Sequence, residues 1–195
     1  MSAHLATIVV TDLVSSTKLR ADLGEEVADQ LHRMHSRMLR AVAEANGGSV
    51  VKGLGDGVLA RFGGAASALA AVVAMQQAAA CESRRDPETP LVLRIGLSAG
   101  DVAVEDDGDL LGTPVIEAAR LCGVARGGQI LAAALVPQLA HGRGGFTCDP
   151  VGSLDLKGIP EPVPVVEVRW GADPAPVSEL HLEFGAGRPR VALVS

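Results

Sequence analysis

The chain has 195 residues, 48 % of them apolar and 21 % charged, which suits one domain and excludes wholesale disorder. Seventeen Lys and Arg against 23 Asp and Glu leave a formal charge of −6, and the aromatic side chains are only Phe62, Phe146, Trp170 and Phe184. A basic footprint and a base-stacking platform are both excluded, so no nucleic-acid partner is expected.

Residues 5–13 are rich in β-branched side chains and read as a buried strand. Ser15, Ser16 and Thr17 follow; they are N-cap types, so a helix start is expected there. Residues 23–45 carry apolar positions at helical spacing, among them Val27, Leu31, Met34, Met38 and Val42, and stop at Asn46-Gly47-Gly48. Short strands are expected at 49–52 and 57–62, separated by a Gly-rich turn, then an alanine-rich helix over 64–83. That stretch is too short and too polar for a membrane span. Strands at 91–99 and 102–104, an acidic loop at 106–112 and a helix from Pro114 to Cys122 come next. A strand at 129–131, a helix at 132–139 and a strand pair at 151–156 and 163–169 complete the series.

The order predicts an α+β fold: a ferredoxin-like βαββαβ core with additional α/β elements, its helices packed on one face of a mostly antiparallel sheet. One catalytic domain is expected over residues 1–170. Residues 171–195, with Pro174 and Pro176, read as a linker and tail that could add an edge strand. Cys81, Cys122 and Cys148 have neither metal-ligand spacing nor an even count, and no signal peptide or membrane anchor is evident. A cytoplasmic protein is expected.

Asp12 ends a buried strand and Asp56 lies in the turn between two others. Two strand ends of one sheet can set such carboxylates side by side, where cations relieve their repulsion. From the pattern alone, an N-cap at Asp12 and an ordinary turn aspartate at Asp56 are the favoured reading. Gly53, Gly55 and Gly57 permit a tight turn but match neither a Walker nor a Rossmann fingerprint. Lys52, Asp109 and Arg120 each have a plain surface reading. His32 and His35 stand three apart on one helix and read as surface or partner-facing. Cys122 reads as core.

Taken in order, six blocks resemble the class III adenylyl/guanylyl cyclase catalytic domain. They are Thr11-Asp12-Leu13-Val14-Ser15-Ser16-Thr17, Val51-Lys52-Gly53-Leu54-Gly55-Asp56-Gly57, the segment from Arg94 to Gly100, that from Gly112 to Leu121, Gly127-Gly128-Gln129-Ile130, and that from Leu156 to Val163. The resemblance implies that Asp12, Asp56 and the backbone carbonyl of Leu13 hold two divalent cations, Mg²⁺ or Mn²⁺. It implies further that Lys52 and Asp109 select the base, that Arg120 stabilises charge at the reacting phosphate, and that Lys157 reaches the terminal phosphates. Backbone N–H groups at Ser16 and Thr17 could meet phosphate oxygens. The implied assembly is a homodimer with two composite sites, and the implied substrate is ATP. At one position the chain departs from the pattern. Ile116 stands where the family usually has a ribose-orienting Asn, so a slow cyclase or a cyclase-like regulatory module is the alternative expectation.

Overall fold

The computed structural model describes residues 3–14 and 24–171. The expected helix start at Ser15 to Thr17 and all but the first residue of the expected tail lie outside these. Eight strands and four helices are described: β1 (Ala3–Leu13), α1 (Glu25–Ala45), β2 (Gly48–Gly53), β3 (Val58–Phe62), α2 (Ala65–Arg85), β4 (Leu93–Val104), β5 (Leu110–Leu111), α3 (Thr113–Val124), β6 (Ile130–Ala133), α4 (Leu135–Ala140), β7 (Cys148–Leu154) and β8 (Val163–Val168).

The strands form one sheet in the order β2-β3-β1-β4-β6-β8-β7, with β5 hydrogen-bonded to β4. Every pairing is antiparallel except β4 with β6. The first four strands and two helices make the expected βαββαβ core. Strand β4 runs unbroken through Gly100, where two strands were expected, because it pairs with β1 from Leu93 to Ala103. A Cβ at Gly100 would stand 2.9 Å from the Pro114 ring, so a bare backbone there lets α3 begin close against the strand.

Alternation along β1 decides what lies on each face. Val9 and Leu13 join the large core beneath α1 and α2, with Leu39, Phe62, Leu69, Met75 and Leu97. Ile8 and Val10 point the other way and meet Ala118 and Cys122 of α3. Helices therefore cover both faces, not one as expected. Each large side chain so buried contributes about 1.5–3 kcal/mol.

Helix α1 opens with Glu25 and Glu26, favourable at the positive end of the helix dipole. It stops where the Asn46 amide donates to the Val42 carbonyl and Gly47 turns to φ +75°. The small side chains of α2 let it lie flat on the sheet, with Ala68, Ala71, Val72 and Met75 buried. No helix among the described residues is long and apolar enough to cross a membrane.

Candidate active site

Asp12 continues the Ile8–Val10 face of β1, so its carboxylate lies on the α3 side of the sheet. Antiparallel register places Arg94 of β4 directly opposite. The guanidinium closes on Asp12 Oδ2, from Nη2 at 2.6 Å and Nε at 2.8 Å, and its Nη1 donates to the Gly123 carbonyl at 3.0 Å. Arg94 thus ties the strand end to the last turn of α3. Leu13 sends its side chain into the core, so only its backbone faces the site.

Asp56 is carried by the β2–β3 turn, which Leu54 N–H closes on the Gly57 carbonyl at 2.9 Å while Gly55 takes φ +71°. A Cβ on Gly57 would fall 1.7 Å from the Thr11 carbonyl oxygen and 3.1 Å from Asp12 Cα. Only glycine allows that approach. The buried Thr11 hydroxyl then accepts the Val58 N–H at 3.0 Å and locks the turn in place. This contact lays the Asp56 turn over the end of β1, beside Asp12. Behind Asp56 stands His32 of α1, with Nδ1 at 3.5 Å from Oδ1.

Lys52 leaves β2 and meets Asp109 of the β4–β5 loop, Nζ to Oδ2, at 2.5 Å. Their neighbours explain the meeting: Val51 and Leu110 pack into the same small core with Leu59 and Val102. The hydrogen bond from Lys52, then that from Leu110 N–H, hold the Asp109 carboxyl below its ordinary range.

On α3, Arg120 donates through Nε to the Lys157 carbonyl at 3.1 Å, joining the helix to the β7–β8 loop. Ile116 is 45 % exposed. Its neighbour Glu117 accepts from the Ser98 hydroxyl at 2.5 Å and so faces β4. A cavity of about 580 Å³ opens beside that pair, lined also by Gln138 and the Ile159–Pro162 loop. Ser16 and Thr17 lie outside the described residues.

The structure thus brings together Lys52 with Asp109, Arg120 with Lys157, and the Asp56 turn with Asp12. Arg94 and His32 complete two of these groups. Arg94 opens the third of the six blocks, which implies no role for it; its meeting with Asp12 follows once the β1–β4 register is known. His35 corrects the expectation of a surface histidine. It is fully buried, and neither ring nitrogen has a hydrogen-bond partner among the described residues. Burial first, then His32, lower its pKa to about 4, although Asp56 acts in the opposite sense. Cys122 is buried as expected, and burial pushes its thiol up to about 12, which leaves it unreactive.

Among the described residues no three His, Cys, Asp or Glu side chains gather to hold a metal ion. Two carboxylates and a backbone carbonyl nonetheless make an all-oxygen donor set. That set suits Mg²⁺ or Mn²⁺ when phosphate and water complete the shell. In donor chemistry alone, Asp12, Asp56 and the Leu13 carbonyl fit such ions.

The family model for the adenylate and guanylate cyclase catalytic domain matches residues 2–167. The chain belongs to this family. Over 161 residues, 82 % of the chain, it is 34 % identical to "Putative adenylate cyclase 3" of Rhizobium meliloti, and the matched stretch is 27 % of that relative's length. Among solved structures, it superposes on the adenylyl cyclase CyaB from P. aeruginosa with a TM-score of 0.77 at 23 % identity, covering 86 % of this chain and 95 % of that one. It superposes also on an adenylate/guanylate cyclase/hydrolase from Silicibacter pomeroyi, with a TM-score of 0.73 at 29 % identity, covering 86 % and 98 %.

Proposed function

We propose that this domain is an adenylate cyclase that converts ATP to 3′,5′-cyclic AMP and diphosphate at composite sites of a homodimer. The observation that carries the adenine reading is the Lys52–Asp109 pair. Adenine presents an acceptor at N1 and a donor at its amine. Lys52 donates to the first and Asp109 accepts from the second. Guanine reverses both edges, and each mismatched buried group costs about 1–3 kcal/mol.

The oxygen of the ribose 3′-hydroxyl attacks the α-phosphorus and releases its proton to water, a new P–O bond forms, the bond from the α-phosphorus to the bridging oxygen breaks and diphosphate leaves. Such a reaction needs positioning and charge neutralisation above all. Two divalent cations held by Asp12, Asp56 and the Leu13 carbonyl would supply Lewis-acid charge to the 3′-oxygen and the triphosphate. Arg120 spreads its guanidinium fork over the charge that develops on the phosphoryl group. Lys157 grips the terminal phosphates, and the backbone at Ser16 and Thr17 receives phosphate oxygens. Arg94 keeps Asp12 oriented. Lys52, Asp109, Arg120 and Lys157 come from one chain and the aspartates from its partner.

A second reading has its own support. With Ile116 in place of a polar residue and Glu117 turned to Ser98, nothing on that stretch of α3 orients the ribose. The domain is then a weak or inactive nucleotide-binding regulator. Incubation with ATP and Mn²⁺, followed by product identification, separates these readings. Cyclic AMP and diphosphate, lost in Asp12→Ala and Asp56→Ala, support the cyclase. Orthophosphate release contradicts it, and ATP binding without turnover supports the second reading.

A further inference from the structure

Within the site, one side chain has no part in the chemistry above yet is aimed at it. His32 presents Nδ1 to Asp56 Oδ1 at 3.5 Å, and that nitrogen is buried without a hydrogen-bond partner among the described residues. It leaves α1 one turn before the fully buried His35. Burial, then the neighbouring His32, keeps His35 uncharged at neutral pH. The turn that carries Asp56 is held through its backbone, by Leu54 on Gly57 and by Val58 on Thr11, and neither contact touches the Asp56 carboxylate.

We propose that His32 is a positioning residue for Asp56: its Nδ1–H holds one carboxylate oxygen and leaves the other free for a divalent cation. This rests on the reading of Asp56 as a cation ligand. At 3.5 Å the contact is longer than a hydrogen bond of roughly 2.7–3.2 Å, and a side-chain adjustment of about half an ångström, with the turn held, completes it. Groups that orient a metal-binding carboxylate from behind typically tune metal affinity about 10- to 100-fold. No other described side chain is placed against Asp56 by an ion pair.

The test is Mn²⁺ binding by the full chain in the presence of a non-hydrolysable ATP analogue, read by electron paramagnetic resonance of free Mn²⁺ as the loss beyond a protein-free control holding the same analogue, which itself chelates Mn²⁺. Two variants separate donation from packing. His32→Leu keeps bulk and loses the donor; His32→Asn puts an amide N–H near the position of Nδ1. Circular dichroism confirms that each is folded. The expected result is about tenfold weaker binding in His32→Leu, with His32→Asn within about threefold of the unaltered protein. Equal affinity in all three proteins, or equal loss in both variants, overturns the role of His32 while leaving the cation reading intact. Absence of Mn²⁺ binding by the unaltered protein overturns both.

Discussion

Lys52 of β2 and Asp109 of the β4–β5 loop, 57 residues apart, meet at 2.5 Å in the same chain. The depressed Asp109 pKa keeps its carboxylate charged at neutral pH and for some way into acid. A base must therefore find a donor and an acceptor already aligned. The double variant Lys52→Glu with Asp109→Ser inverts that pattern. Turnover of GTP relative to ATP is expected to rise by at least about tenfold, since a single corrected pairing amounts to 1–3 kcal/mol. Unchanged ATP preference in competition assays contradicts the base-reading role.

Arg94 sets both Nη2 and Nε on one oxygen of Asp12. Removing it leaves a part-buried carboxylate unpaired and frees the Gly123 carbonyl. Arg94→Ala is expected to cost about 1 kcal/mol in urea unfolding, a modest figure because the pair is a third exposed. Turnover is expected to fall about 10²-fold through misplacement of Asp12. Arg94→Lys keeps the charge without the fork and recovers the stability more than the rate. Equal recovery of both would leave Arg94 as a simple counter-charge.

The Gly57 contact with Thr11 tolerates no side chain, because the obstacle is backbone. Gly57→Ala is expected to lose about 3 kcal/mol or more by overpacking. At Gly63 an added Cβ meets nothing within 4 Å and no positive φ is involved, so Gly63→Ala should stay within about 0.5 kcal/mol of the unaltered chain. Thermal unfolding of the two variants side by side checks this. Similar midpoints would mean that the Asp56 turn does not rest on β1 as described.

His35 carries a pH signature. Unfolded, the ring titrates at its ordinary 6.5; folded, it resists protonation until about pH 4. The unfolded chain therefore binds the extra proton first as acid is added. This contribution is whole above pH 6.5 and lost as pH falls toward 4, by about 3 kcal/mol across the window. His35→Leu removes it. Urea unfolding at pH 7 and pH 4.5 should show the unaltered protein losing more stability than His35→Leu. Parallel losses would contradict a buried neutral ring.

Much of this was legible in the sequence because local and global signals agree. β1 is a β-branched run, α1 ends at a left-handed glycine, and the βαββαβ order follows from alternation of periods. What escaped depends on partners distant in sequence. β5 is only Leu110 and Leu111, made a strand by Ala103 and Val104 across from it. α3 covers the second face because Ala118 and Cys122 fit against Ile8 and Val10, which no helical pattern in α3 alone reveals. Arg94 gains its meaning from a register, and His35 from the sheet that buries it. For the site, the six blocks hold Lys52, Arg120 and Lys157, but that Lys52 meets Asp109 and that Arg120 meets the Lys157 backbone carbonyl follows from the fold alone. Ser16 and Thr17 lie outside the described residues.

The central claim is that two chains share each site, the aspartates from one and the base-reading and phosphate-binding groups from the other. Equal amounts of Asp12→Ala and Arg120→Ala protein, each inactive alone, should regain activity on mixing. Half of the dimers become mixed, and each holds a single intact site, so cyclic AMP formation should return to about a quarter of the unaltered rate. A mixture that forms the mixed dimer yet makes no cyclic AMP from ATP and Mn²⁺ would contradict the claim.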